Sequence, residues 1–556
     1  MPTHPPVSRR RVPSRNRAAL AALVAVGLAA CATGAAVTAL SPDGADGIRA
    51  FVTSDFGGVS RATLRTGALP YKLVATGLVL REERATGRRL TRADLPAIYR
   101  RYGFIVPAKL GNWPASLPAP SFERPMGMVG TTVEGPSPFV RIEGVTLGCA
   151  SCHAGPLYDA TGRATDTAWV GLPNTSLDLD SYARAVYEAL KLAVADGGAA
   201  RRRMAQLFPE TSRRERLTMR WFVLPQAAKR LSALERAGAT PVPFSGGGPG
   251  LTNGVAALKH RLAYPLGDSL GGPEAAFTSI PDLSARALRS SLLYDGIYAP
   301  LGADPFAPRD TSMAVATQMD ALAEDIAFFT VPTMGVSPDE AEKHIPAVRP
   351  AARWLGAAYR APRFPGTVDQ RLAREGGRLF AGMCAECHGT YGEGTPRRLT
   401  SFPNRLVPQE LVGTDSTRWA LIRPDVVRRL GTTAFGRHMQ VRRTRGYVAP
   451  ILSGIWATAP YLHNGSVPTL WALLSPAQRP SRFLTGGHAL DYAAVGVALE
   501  RAGDGVYRYP AGYTPWSTPQ LYDTTLPGKS NRGHERQVSG LSDAEKRALI
   551  EYLKTL

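Results

Sequence analysis

Cysteine is scarce in this sequence, five residues in 556, and histidine is hardly commoner at nine. So few cysteines exclude a scaffold stapled by disulfides. Acidic residues are also in short supply, 45 against 66 lysines and arginines, which leaves a formal net charge of +21. The G-G-G-P-G stretch from Gly246 to Gly250 lacks both the lysine and the strand–helix setting of a phosphate-binding loop. Beyond the basic balance itself, nothing points to nucleic acid. What remains is ordinary globular usage, 44% hydrophobic and 20% charged, in a chain long enough for two or three compact domains. Glycine (56) and proline (46) are both plentiful, which predicts much loop and turn around short helices. The expected fold class is mainly α, with little β.

Four of the five cysteines fall into two copies of one pattern. Cys149, Cys152 and His153 read C-A-S-C-H, and Cys384, Cys387 and His388 read C-A-E-C-H. C-x-x-C-H is the attachment signature of c-type haem. Two thiols on one helical turn can add across the two vinyl groups of the porphyrin, and the adjacent histidine then lies under the ring as the proximal ligand of the iron. A four-cysteine zinc site has no need of a histidine directly after each pair. The expected cofactors are therefore two covalently bound haem c groups. No cysteine is left over for an internal disulfide.

The fifth cysteine, Cys31, belongs to a start that reads as a targeting segment. Arg9, Arg10, Arg11, Arg15 and Arg17 form a basic region, an uncharged apolar run follows from Ala18, and L-A-A-C ends on Cys31. This resembles a bacterial lipoprotein signal, in which the cysteine is lipidated. The alternative is an uncleaved anchor helix, because the run stays uncharged to Leu40, 23 residues in all. Either way residues 1–40 are set apart as leader or anchor. The rest is expected to be exported, periplasmic or at the cell surface, and tethered to the membrane. Without the five leader arginines the net charge is +16. Many of the remaining charges cluster at Arg201–Arg203 and at Arg213, Arg214, Arg216 and Arg220. That cluster reads first as a solvated helical face. The other reading is a docking face for an acidic redox partner or an anionic membrane.

Residues 41–361 are expected to form an N-terminal haem domain with a loop-rich extension. Within it, the Pro-rich stretch Asn112–Pro138 reads as a wrapping segment or linker. A long helical region runs from about Ser181 to Gly238, broken at Pro209 and Pro225. Residues 362–556 are expected to form a second haem domain. Val368, Leu372, Leu379 and Phe380 suit one face of a helix ahead of the second motif, with glycines where helices approach closely. At the chain end, Ser542 and Glu545 make a capping box, and Leu549, Tyr552, Leu553 and Leu556 line one stripe. A helix before C-x-x-C-H and a terminal helix packed on it are the frame of a class I cytochrome c.

A-P-Y-L-H-N-G-S-V-P-T-L, from Ala459 to Leu470, resembles the A-P-Y-F-H-D-G-S segment of the bacterial diheme cytochrome c peroxidases. With Arg479-Pro480 after it, and with P-G-K-S-N-R-G-H-E from Pro527 to Glu535, the chain is more similar to the related rubber oxygenases. The likeness is specific over about 367–556 and looser around 146–180, where G-L-P-N-T-S-L-D-L is also similar. It implies two unlike haems, the C-terminal one six-coordinate and moving electrons, the N-terminal one open to oxygen or peroxide. An iron with two protein ligands cannot bind substrate without losing one, so carrier and catalytic haem must differ. The resemblance thus implies a haem oxidoreductase using peroxide or dioxygen, partnered by a redox protein or a small-molecule oxidant. The alternative is a pure electron carrier.

The resemblance places His534 as the second axial ligand of the C-terminal haem, with Met439 as the rival. The peroxidase ligand position, about fourteen residues past His463, is Ala477 here, which cannot ligate. His463 is expected to hydrogen-bond near a haem edge. His260 and His344 are the candidates left for the N-terminal haem, and Trp354 and Trp456 for bridging electron transfer. No catalytic residue can be named from the sequence.

Overall fold

Ser542 accepts the backbone N–H of Glu545, and the Glu545 carboxylate in turn accepts the N–H of Ser542, which starts the terminal helix Asp543–Leu553. Its apolar stripe, with Leu549, Tyr552 and Leu553 buried and Leu556 just beyond, faces the helix Gln370–Met383. Asp369 caps that partner helix by accepting from the N–H groups of Arg371 and Leu372. The two helices cross at Gly376, where a Cβ would lie 1.9 Å from the Ala548 carbonyl oxygen. The crossing delivers the chain into Cys384 at the C-cap of Gln370–Met383.

The same device recurs toward the N-terminus. Helix Tyr71–Thr86 packs on Leu179–Ala195, and a Cβ at Gly77 would stand 2.5 Å from the Ala189 carbonyl oxygen. Around this pair lies a large apolar core that includes Leu73, Leu78, Tyr99, Phe104, Tyr182 and Phe208. Helix Pro42–Thr53 lies against Ile345–Ala357. The computed structural model describes residues 42–54, 69–134, 140–237, 244–264, 266, 274–283, 288–310, 315–334 and 336–556. Residues 1–40, expected to be leader or anchor and including His4 and Cys31, lie outside the described residues. Among the described residues no helix is long and apolar enough to cross a membrane.

The expectation of a mainly α fold with little β is wrong. Helix takes 42% of the described residues and strand 17%, and the described strands are spread over eight small sheets. The strands are two to seven residues long, too short for an alternating pattern to stand out between glycines and prolines. The stretch Asn112–Pro138, read as a wrapping segment, contains the strand Met128–Glu134, M-V-G-T-T-V-E. It pairs antiparallel with Arg141–Leu147.

These sheets position the motifs. The hairpin Met128–Glu134/Arg141–Leu147 ends one residue before Cys149, and a second pair, Ala154–Tyr158 with Ala164–Val170, begins straight after His153. The second motif runs out into the pair Thr390–Gly394/Arg397–Phe402. Strand Arg309–Asp310 adds to that sheet, and Tyr298–Pro300 pairs with Met439–Val441. Strands from before residue 361 are thus hydrogen-bonded to strands from after it, and Pro42–Leu556 forms one compact unit.

Gly376→Val tests the helix crossing. The obstacle is backbone, which cannot swing aside, so the variant should lose on the order of 1–3 kcal/mol or more. A lowered Tm in calorimetry, with weaker retention of haem during maturation, is the expected outcome.

Candidate haem site

A cavity of about 760 Å³ lies within the unit, and both C-x-x-C-H motifs line it. Cys149, Cys152, Cys384 and Cys387 all face it, and none is in a disulfide. Burial pushes the thiols up, Cys149 and Cys384 to about 11 and Cys152 to about 12.

Both motif histidines are oriented in the same way. His153 Nδ1 lies 3.1 Å from the Pro281 carbonyl oxygen, and His388 Nδ1 lies 2.8 Å from that of Pro450. A carbonyl can only accept, so each Nδ1 carries the proton and each Nε2 keeps its lone pair. A metal-ligating histidine needs this arrangement, because the fixed hydrogen bond sets tautomer and ring plane together. The loop G-L-P-N-T-S braces the first motif from behind. The Gly171 N–H donates to the His153 carbonyl and the Asn174 N–H to the Cys152 carbonyl, both at 2.8 Å.

His534 stands opposite His388. Their rings are near-parallel, 21° apart, with centroids separated by 6.3 Å. Two imidazoles on one metal need about 2 Å from metal to nitrogen on each side and roughly 1 Å more to each ring centre, roughly 6 Å in all. His534 Nδ1 is buried and has no hydrogen-bond partner. Burial, with His388 and Arg479 nearby, pushes His534 down to about 4, and burial lowers His388 as well, so both rings are neutral donors. No group of three or more His, Cys, Asp or Glu donors gathers among the described residues. A metal between these two rings would take its remaining ligands from a macrocycle, and the donor set fits haem.

The segment carrying His534 is held by Arg479. Its buried guanidinium donates to the carbonyls of Ala472, Leu473, Asn531 and Gly533 and to the Glu535 carboxylate, at 2.6 to 3.1 Å. His534 itself sits at φ +68°, in the left-handed region, and its N–H donates to the Val412 carbonyl. Asn464 adds a second fastening, donating to the carbonyls of Gly528 and Ser530.

The cavity lining includes four histidines: His153, His388, His534 and His463. His463 stacks on Tyr447, ring centroids 4.2 Å apart. Tyr447 donates its hydroxyl proton to the Asp415 carbonyl at 2.6 Å and so accepts from His463 Nε2 at 3.2 Å. That leaves His463 Nδ1 to accept from the Thr414 hydroxyl at 3.5 Å. Burial and the neighbouring Arg418 push His463 down to about 3, so the ring is neutral. Arg418 is itself paired with Asp295 at 3.2 Å, and both side chains are buried. This polar cluster was not legible in the sequence, since its members lie far apart along the chain.

The other candidates lie elsewhere. Met439 is buried on the strand Met439–Val441 and does not line the cavity. His344 pairs with Glu340 one helical turn away, and His260 rests beside Phe244. His438 lies between the carboxylates of Glu324 and Glu342. Trp354 and Trp456 are core residues behind the cavity wall, Trp354 against Phe51 and Tyr359, Trp456 donating to the Pro362 carbonyl.

The "RoxA-like, cytochrome c-like" family matches residues 446–484. That stretch supplies Pro450, Tyr447, His463 and Arg479, four of the residues around the C-terminal motif. Two uncharacterized proteins of Sinorhizobium fredii are also similar. One, y4iM, is 34% identical over 233 residues, covering 34% of this chain and 50% of the relative. The other, y4iJ, is 30% identical over 280 residues, covering 39% and 45%. The chain thus spans about half the length of the curated relatives it matches. Residues 446–484 are thus similar to a RoxA-like, cytochrome c-like domain, a likeness that implies covalently bound haem c.

Arg479→Met leaves buried carbonyls without a donor, at about 1–3 kcal/mol for each group that water cannot reach. The loop carrying His534 should loosen. A high-spin fraction should appear in the optical spectrum of the oxidised protein, and it should grow on warming well below the Tm.

Proposed function

We propose that the chain is a diheme c-type cytochrome acting as an oxidoreductase, exported and tethered to the membrane by residues 1–40. The observation that carries the reading is the unequal provision for the two motif histidines. His388 faces His534, an imidazole with an orphaned buried nitrogen. Of the four histidines in the described lining, the remaining one, His463, has both nitrogens engaged by Tyr447 and Thr414. No histidine of that lining is therefore left for His153.

In this reading Cys149 and Cys152 hold one haem and Cys384 and Cys387 the other. His153 and His388 are the proximal ligands, and His534 is the second ligand of the C-terminal iron. Haem supplies the one-electron and oxygen chemistry that no side chain can. The chain's own residues do the rest. The Pro281 and Pro450 carbonyls hold the Nδ1 protons of His153 and His388, which puts the lone pair of each ring on Nε2. Arg479 and Asn464 hold His534 at its distance. Ile280, Asp282 and Leu283 flank Pro281 in the cavity wall, with Arg289 in the same lining; the substrate this reading assigns to the N-terminal haem is a small oxidant such as dioxygen or hydrogen peroxide.

The protein matured with a c-type haem system should contain two covalent haems per chain by pyridine haemochrome assay. Cys149→Ser with Cys152→Ser should leave one. His534→Gly should convert the C-terminal iron from low to high spin and raise its potential, because a strong imidazole donor to the ferric state is lost. One haem in the fully matured wild type would rule out the diheme reading. A low-spin signal that survives His534→Gly would rule out that ligand.

A further inference from the structure

Residues Arg213–Thr218, Met219–Val223 and Leu224–Arg236 form one uninterrupted helical rod. Pro225, expected to break it, does not. The middle segment is a π turn in which the Leu224 N–H reaches back five residues to the Met219 carbonyl, and the proline sits just beyond. One side of the rod, with Met219, Val223, Leu224 and Leu231, is buried against the rest of the protein.

The opposite side is unusual. Leu217 is 48% exposed, Trp221 62% and Phe222 48%, three large apolar side chains within six residues. Arg213, Arg214, Arg216, Arg220, Lys229, Arg230 and Arg236 are all exposed on the same rod. The Arg220 guanidinium lies over the Trp221 ring at 4.8 Å. Between Gly197 and Ala237 the acidic residues are Glu210, Glu215 and Glu235. Each is paired with a base from outside the segment: Arg92, Lys72 and Lys191.

We propose that this face docks the protein onto an anionic lipid surface. Leu217, Trp221 and Phe222 enter the headgroup–acyl boundary, and the flanking arginines meet headgroup phosphates. Aromatic and leucine side chains interleaved with arginines on a convex rod fit a fluid interface, which moulds itself to them. An acidic redox protein is the less suitable occupant, because electron delivery needs a face near a haem edge and no residue of Arg213–Arg236 lines the haem cavity. The rod serves to mount the protein. This proposal does not depend on how residues 1–40 attach.

Full-chain protein is mixed with vesicles of phosphatidylglycerol and phosphatidylcholine, or of phosphatidylcholine alone, with brominated acyl chains in either. Tryptophan emission should be quenched on the anionic vesicles and not on the neutral ones, and Trp221→Phe should lack the quenched component. The leader is common to both proteins, so its own attachment cannot produce that difference. Arg213→Ser with Arg216→Ser and Arg220→Ser should weaken the quenching isotherm on the order of a hundredfold, with unchanged circular dichroism and haem spectrum. Equal quenching in wild type and Trp221→Phe overturns the proposal. So does equal quenching on neutral vesicles. Salt-sensitive binding to an acidic protein with no lipid quenching assigns the face to a protein partner and overturns it as well.

Discussion

An imidazole that gives a lone pair to a metal has one nitrogen left, and the proton there must go to an acceptor that does not move. The Pro281 and Pro450 carbonyls meet that requirement, and much of the architecture can be understood from it. Each is backbone in a segment remote in sequence from its histidine, 128 residues away for His153 and 62 for His388. The cavity exists only if those segments are brought to the motifs, so the small sheets and the long connections between them are a condition of the site. The strand pairs tying 298–310 to 397–402 and 439–441 are part of that frame.

The second constraint is the distance of His534 from His388. A ring left over from a surface loop would have no reason to stop at 6.3 Å with an unpaired nitrogen. Arg479 supplies the reason, by gathering the carbonyls of Asn531 and Gly533 and the carboxylate of Glu535 around one buried guanidinium. A lysine could not bind that many acceptors in fixed directions, because its ammonium is a point charge with three rotatable donors. The left-handed backbone at His534 is held by the same scaffold.

Legibility from sequence followed the range of each interaction. The haem motifs, the capping box at Ser542 and the glycine at the helix crossing are local signals, and they could be read in the residues themselves. The strands could not. Met128–Glu134 has the right β-branched residues, but a proline-rich setting hides them, and its partner is identified only by the pairing. His534 was indicated by resemblance, while its supports were invisible, since Arg479 precedes it by more than fifty residues. The ion pair of Arg418 with Asp295 spans 123 residues and left no trace in the sequence. Pro225 was misread because a proline's effect on a helix depends on whether the preceding turn can widen.

The central claim is that the two irons are unlike, one closed by His534 and one with a free position. Carbon monoxide titration of the fully reduced wild-type protein tests it most directly, because the gas needs a vacant site and reports each haem in the Soret band. The account predicts one carbon monoxide bound per two haems, with the other haem keeping its low-spin spectrum at saturation. Two bound, or none, would contradict it.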